Sequence, residues 1–292
     1  MTTPFRLATR ASPLAMWQAR HVAALLRAAW PGLPIEIHAL TSSGDQDLET
    51  PLYGMGNVGV FAREVHAAVL NGTADVAVHS CKDLPTTAPT GIAAPVICKR
   101  HDPRDALIGA TSIDALPQGT LVGSSSLRRR SQLAALRPDL RFTSIRGNVQ
   151  TRLGKVAAGE VGATILACAG LSRMGLMRQA RARGLDPHHE LIPAPAQGAL
   201  ALDHRCGDTR SAVLLSPLRH HDTARAVTIE REVLAGLRGG CSLPLGCYAV
   251  RAGVSWQLEA CLDSETGIRR VSLQGHAATL PQRCLDALFS AP

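Results

Sequence analysis

The stretch L121-V-G-S-S-S-L-R-R-R-S-Q-L-A-A-L136 reads as a β-strand from Leu121 to Gly123, a serine run, and a helix from Leu127 to Leu136. The helix closes before Arg137-Pro138, because the residue ahead of a proline is pushed out of the α region. R141-F-T-S-I145 follows as a second strand and, after a further helix, A163-T-I-L-A167 as a third. Strands that alternate with helices predict a mostly parallel sheet, since parallel neighbours need a crossover and a helix supplies it.

The same alternation fills the N-terminal part. F5-R-L-A-T9 is a strand, and Ser12-Pro13 offers an N-cap and a first-turn proline to the amphipathic run Leu14 to Trp30. I35-E-I-H-A-L40 alternates as a strand, Phe61 to Leu70 is helical and stops at Asn71-Gly72, and A74-D-V-A-V-H79 is a strand again. Two similar α/β lobes are therefore expected. I192-P-A-P-A-Q-G198 reads as a return crossover and Thr223 to Leu237 as a helix ended by Gly239-Gly240. S255-W-Q-L-E-A-C-L262 and R269-R-V-S-L-Q274 pair as strands before a short final helix, which makes a small α+β third domain.

Composition narrows the function. The 292 residues are 46% apolar with a net charge of +8, enough chain for two or three domains. The N-terminus M1-T-T-P-F-R lacks a basic segment followed by an apolar run, and no stretch approaches the ~18 apolar residues of a membrane span, so a cytoplasmic protein with no membrane partner is expected. Cysteines at 81, 98, 168, 206, 241, 247, 261 and 284 form no C-x-x-C pair, so neither a metal site nor a disulfide framework is indicated and free thiols are expected. The charge suits an anionic partner, but with 3% aromatic residues the chain lacks the stacking platforms of a single-strand nucleic-acid binder. No nucleic acid is expected.

The positive charge is concentrated. Between Gly123 and Lys155 seven arginines and one lysine stand against a single acid, Asp139, on S124-S-S-L-R-R-R130 and R146-G-N-V-Q-T-R152. Guanidiniums match planar carboxylates or phosphates with paired hydrogen bonds and stay charged when water is removed. Adjacent helical positions fan out, so Arg128, Arg129 and Arg130 cannot all face one ligand. G54-M-G-N-V-G59 matches a dinucleotide fingerprint, yet L48-E-T-P-L-Y53 before it has no strand pattern, and a glycine loop able to act as a lid is the better reading. Lys82 and Asp83 in V78-H-S-C-K-D-L-P85 fall where a strand gives way to a turn, a usual place for site residues in an α/β sheet. Cys241 lies among glycines in G239-G-C-S-L-P-L-G246. His188-His189 and His220-His221 read as surface pairs.

Taken together and in order, R6-L-A-T-R-A-S-P-L-A15, H79-S-C-K-D83, H101-D-P-R-D105, V122-G-S-S-S-L-R-R129, R146-G-N-V-Q-T-R152, A169-G-L-S-R173, Q197-G-A199, E230-R231 and G239-G-C-S-L-P-L-G246 resemble the porphobilinogen deaminase family. The resemblance implies two periplasmic-binding-protein-like lobes, lobe 1 at 1–98 and 198–217 and lobe 2 at 99–197, with a C-terminal cofactor-attachment domain at 218–292. It implies a monomeric transferase that joins four porphobilinogens head to tail, losing ammonia each time, to give hydroxymethylbilane. A dipyrromethane cofactor on a Cys241 thioether would serve as primer, held by Lys82, Ser126, Arg128 and Arg129. Arg10, Arg146, Arg152, Arg173, Ser124 and Ser125 would bind substrate carboxylates in a cleft between the lobes, and Asp83 would be catalytic. Arg130 has no family counterpart and is expected to be solvated. Three positions depart from the family: Val58 replaces a loop lysine, Ala196 a glycine, and Gln150 a glycine or aspartate. The same features without catalysis would describe a two-lobed anion-binding module or a weakly active relative.

Overall fold

The computed structural model describes residues 3–41, 62–237, 243–264 and 267–290. These fall into two compact units, the first made of 3–41, 62–101 and 199–224 and the second of 102–198 and 225–290.

In the first unit, strand β1 (Phe5–Arg10) leads into helix α1 (Pro13–Ala29). Ser12 caps that helix, its Oγ accepting from the Ala15 amide at 3.4 Å, and Pro13 fills the first turn where its missing N–H costs nothing. Strand β2 (Ile35–Leu40), helix α2 (Arg63–Leu70) and strand β3 (Val76–Ser80) follow. The chain adds strand β4 (Val96–Ile97), leaves for the second unit, and returns as strand β10 (Leu200–His204) and helix α6 (Thr209–Leu215). The sheet order is β2-β1-β3-β10-β4. Its βα-built part, β2-β1-β3, is parallel as the alternation predicts; the returning strand inserts antiparallel against both β3 and β4. Phe5, Leu7, Val22, Leu26, Val76, Leu202 and Leu215 form the buried core beneath α1. Each such side chain contributes about 1.5–3 kcal/mol by leaving water.

The second unit repeats the plan. Strands β5 (Asp105–Ile108), β6 (Leu121–Gly123), β7 (Arg141–Thr143), β8 (Ala163–Ala167) and β9 (Arg183–Gly184) make a sheet of order β7-β6-β8-β5-β9. Its three βα-built strands are parallel, and β5 runs antiparallel to β8 and β9. Helices α3 (Leu127–Leu136), α4 (Val149–Ala157) and α5 (Cys168–Arg173) connect them. The C-terminal segment packs helix α7 (His221–Gly236) and helix α8 (Leu280–Phe289) on an antiparallel sheet of β11 (Leu245–Ala252), β12 (Ser255–Ser264) and β13 (Gly267–Gly275). Ile229, Val233, Leu258 and Leu280 are at its core. Glu230, fully buried on α7, fixes it to the crossover: one oxygen accepts from the Ala196 amide at 2.6 Å and the other from the Ala249 amide at 2.8 Å.

Candidate functional site

Two parallel neighbours bring the first group together. Arg10 ends β1 and Ser80 ends β3, so both lie at the carboxyl edge of the sheet, beside the first turn of α1. Asp83 closes the short 3-10 turn Cys81–Asp83 that follows β3. A pocket within this unit is lined by Arg10, Ser12, Leu14, Gln18, His79, Ser80 and Asp83 among others. The carboxyl ends of adjacent parallel strands are where open α/β sheets bind ligands. Ser12 and Gln18 were not read from the sequence as site residues. Gln18 is buried and its Nε2 donates to Ser80 Oγ at 2.7 Å, so it sets the rim beside Asp83. Its position on the sheet-facing side of α1 is the signal that was available. Lys82, in the same turn, is half-buried.

The second unit holds the arginines. Ser126 caps α3, its Oγ accepting from the Arg129 amide at 3.5 Å, so this side chain is engaged in forming the helix. Ser124 and Ser125 are buried; Ser125 Oγ donates to the Ile145 carbonyl at 2.6 Å and pins the end of β7, while Ser124 Oγ accepts from the Ser126 amide at 3.2 Å. Arg128 and Arg129 both reach the fully buried Asp105, each at 2.7 Å and each on a different carboxylate oxygen. Arg128 also donates to the Ile192 carbonyl at 2.7 Å, and Arg129 to the Ile165 carbonyl at 3.0 Å. Arg130 turns away, its guanidinium over the Phe142 ring at 5.8 Å. The fan of directions expected of three adjacent helical arginines is what the helix presents.

R146-G-N-V-Q-T-R152 folds for equally local reasons. Gly147 has φ 105°, and a Cβ there would meet the Thr151 side chain at 2.7 Å, so only glycine fits. Asn148 caps α4 by accepting from the Thr151 amide at 2.9 Å. The turn sets Arg146 just ahead of the helix and Arg152 within it, where Arg152 Nε donates to the Gly147 carbonyl at 2.9 Å. Gln150 is exposed and touches none of this. Arg173 ends α5, is buried, and donates to the Gly198 carbonyl at 2.8 Å. Gln197 donates to Asp105 at 3.0 Å, tying the crossover to the same acid.

The charges do not cancel locally. Burial, then repulsion from Arg129 and Arg146, pushes the Arg152 guanidinium down to about 10. Burial also opposes ionisation of Asp105, yet Arg128 and Arg129 overcome it and hold its carboxyl well below the usual carboxylate range. One acid is thus saturated by two arginines while the others repel one another. Guanidiniums placed this way have the donor chemistry that suits carboxylate or phosphate oxygens.

Cys241, Val58 and the loop G54-M-G-N-V-G59 lie outside the described residues. Of the remaining cysteines, all described, Cys206 is exposed and the other six are buried. His188 and His189 are exposed, with His188 Nδ1 3.2 Å from Glu259. His220 is half-buried and its Nδ1 accepts from the Thr223 amide at 3.2 Å at the start of α7, so it acts as a helix cap and not as part of a surface pair.

The fold is of the α/β class, two units with parallel-rich sheets of the periplasmic-binding-protein type and a small C-terminal α+β part. No described helix is long and apolar enough to cross a membrane. The chain belongs to the porphobilinogen deaminase family: the family's dipyromethane cofactor binding domain matches residues 5–213 and its C-terminal domain matches residues 224–290. It is accordingly a protein of tetrapyrrole synthesis, in a family of transferases, with a dipyrromethane cofactor. Among solved structures, an ABC transporter from Parabacteroides distasonis is 13% identical, over 82% of this chain and 76% of that one, with a TM-score of 0.44. The periplasmic aliphatic sulphonate binding protein SsuA from Escherichia coli is 13% identical, over 82% and 71%, with a TM-score of 0.41.

Proposed function

We propose that this chain is a hydroxymethylbilane synthase, acting in the cytoplasm as a monomer: it deaminates porphobilinogen and joins four of the resulting units head to tail with loss of four ammonias, and one water then cleaves the tetrapyrrole from its primer as hydroxymethylbilane. The observation that supports this reading is the grouping of Arg129 on the Ser126-capped helix α3 with Arg146 just ahead of the Asn148-capped helix α4 and Arg152 within it; burial, then repulsion from Arg129 and Arg146, lowers the Arg152 pKa to about 10. Each porphobilinogen ring bears an acetate and a propionate, so a growing chain accumulates carboxylates and needs a site with surplus guanidinium donors. A charge-assisted contact contributes about 1.5–3 kcal/mol, and several together retain a product through successive additions.

The donor set also fits the cofactor. A dipyrromethane carries the same acetate and propionate arms, and Arg128 and Arg129 have guanidinium donors beyond those that engage Asp105. Those two, with Lys82 and Ser126, would hold it, and Cys241 would attach it through a thioether. When bound, the group supplies a pyrrole with a free α-carbon to which the first substrate ring is joined. Arg10, Arg146, Arg152 and Arg173 would grip substrate carboxylates, with Ser124 and Ser125 shaping the helix terminus beside them. Asp83 would face the substrate's aminomethyl carbon. When the carbon–nitrogen bond breaks and ammonia departs, a methylene-pyrroleninium cation is left, and a fixed carboxylate stabilises that charge while accepting from pyrrole N–H.

Two measurements test this on the purified full chain. Intact mass should exceed the sequence mass by one dipyrromethane, and Cys241→Ser should remove the excess. Asp83→Asn should keep the fold and lower porphobilinogen turnover by about 10²–10³, the usual effect of deleting one electrostatic stabiliser. A mass equal to the bare sequence together with no turnover would leave an anion-binding module as the better account.

A further inference from the structure

Three donor groups converge inside the first unit that the chemistry above does not use. His66 comes from α2, His79 from β3 and Asp203 from β10, and all three are more than nine-tenths buried. One donor atom from each lies within 4.8 Å of the other two. His66 Nε2 is 2.8 Å from Asp203 Oδ2, and His79 Nε2 is 3.6 Å from that same oxygen. The imidazole rings are 4.8 Å apart and tilted by 57°. His79 Nε2 is buried with no hydrogen-bond partner. A buried polar atom without a partner is destabilising, so its persistence beside a carboxylate and a second imidazole asks for a reason.

We infer that His66, His79 and Asp203 form a binding site for one divalent transition metal ion of the zinc class. Two imidazoles and one carboxylate are the donor set that zinc, cobalt and nickel favour over magnesium or calcium. Zinc bonds of about 2.0–2.2 Å put tetrahedral ligand atoms about 3.3–3.5 Å apart. The separations of 2.8 and 3.6 Å from Asp203 Oδ2 bracket that value, and the three donor atoms, all within 4.8 Å of one another, would draw together by side-chain rotation. The ion would displace the proton shared between His66 and Asp203 and give His79 Nε2 a partner. Because His79 also lines the pocket that holds Asp83, a water from that side can take the fourth position. The ion would tie α2 to β3 and β10, and so brace the strand from which the Asp83 turn departs. Sequence spacing hid the site, since the ligands stand at 66, 79 and 203 with no motif linking them.

The test uses the full chain stripped with a chelator and then titrated with Zn²⁺ against a chromophoric zinc indicator, at neutral pH. One equivalent should bind with micromolar or tighter affinity, and the thermal midpoint should rise. Co²⁺ should give the intense visible absorption of a tetrahedral site. His66→Gln and Asp203→Asn should each weaken binding at least tenfold, while His189→Gln and Cys206→Ser, which alter exposed groups, should leave it unchanged. If either site variant does not fold, ¹⁵N chemical shifts of the wild-type histidine ring nitrogens decide: two imidazoles should move on adding Zn²⁺. Binding that is absent, only millimolar, insensitive to both site variants, lost with Cys206, or accompanied by no imidazole shift would overturn the proposal. None of these readouts depends on porphobilinogen turnover.

Discussion

Asp105 has no exposed surface and holds two guanidiniums at 2.7 Å. Replacing it with Asn keeps the shape and leaves Arg128 and Arg129 as buried cations without a counter-charge. Breaking a buried pair in this way costs about 3–5 kcal/mol, so Asp105→Asn should lower the denaturant midpoint by that equivalent or fail to fold. The pH dependence has a definite sign. The folded carboxyl lies below its unfolded value of about 3.9, so its contribution is complete above that value and is lost as the medium is acidified through the carboxylate range. Acid unfolding of the wild type should therefore be steeper below about pH 4 than that of any folded Asp105 variant. Ala196 gives the opposite lesson about magnitude. It stands where the resemblance leads one to expect glycine, and its φ of 62° is in the left-handed region. Strain there is about 1–2 kcal/mol, but a glycine would lose a buried methyl worth about 0.8 kcal/mol and gain unfolded-state freedom worth about 0.4–1 kcal/mol. These nearly cancel. Ala196→Gly should shift stability by less than about 1 kcal/mol, whereas the β-branched Ala196→Val should cost more than about 2 kcal/mol. Chemical denaturation of the pair checks both, and a large gain from glycine would show that the strain is underestimated.

At the scale of elements, what could be read from the chain was whatever is decided locally. Ser12-Pro13 and the stop before Pro138 placed α1 and α3, because caps and prolines act on their own neighbours. Strands β5 and β11 were not read: D105-A-L-I108 is short and follows a charged run, and L245-G-C-Y-A-V-R-A252 carries a glycine at its second position and lacks strict alternation. Strand β5 is held by β8 and β9, distant in sequence, whereas β11 forms a hairpin with the adjacent β12 and is tied at Cys247 to the distant Pro193 carbonyl. The same holds for the site. Arginine-rich motifs announced an anion, but that Arg128 and Arg129 share Asp105, and that Gln18 and His79 border the Asp83 pocket, depends on which elements the fold makes neighbours. Gly246 shows how a motif glycine can be tertiary in origin. A Cβ there would come within 2.7 Å of the Ile192 carbonyl oxygen and 2.9 Å of Gln132 Nε2. That carbonyl accepts from Arg128 and from Gln132, and the next residue's amide, Cys247 N, donates to Pro193 at 2.9 Å. Gly246→Ala should therefore cost about 1–3 kcal/mol, as overpacking does, and loosen Arg128 as well. A denaturant midpoint equal to wild type would mean that β11 shifts freely, against the contacts seen.

Across the whole molecule the net charge of +8 and the guanidinium surplus of the second unit set how function should respond to salt. Porphobilinogen, with two carboxylates and one ammonium, arrives as an anion, and exposed charges feel it only within a Debye length, about 10 Å at 0.1 M salt and about 3 Å at 1 M. Contacts that the buried Arg128, Arg129 and Arg173 would make are screened least, and those of the half-buried Arg146 and Arg152 are screened more. On the proposed function, raising ionic strength should therefore raise the KM for porphobilinogen several-fold while kcat changes little, because the bond-breaking step assigned to Asp83 would draw on a local charge. Arg152→Gln isolates the cause. It loses one donor to the Gly147 carbonyl but also relieves the desolvation cost, and then the repulsion from Arg129 and Arg146, that lower the pKa of Arg152, so stability should stay within about 1 kcal/mol of wild type. Its KM at low salt should already be raised, and its dependence on salt should be shallower than that of the wild type. Steady-state kinetics over a salt series would check this, and a KM that does not move with salt, or an unchanged slope in Arg152→Gln, would show that the half-buried arginines do not hold the substrate.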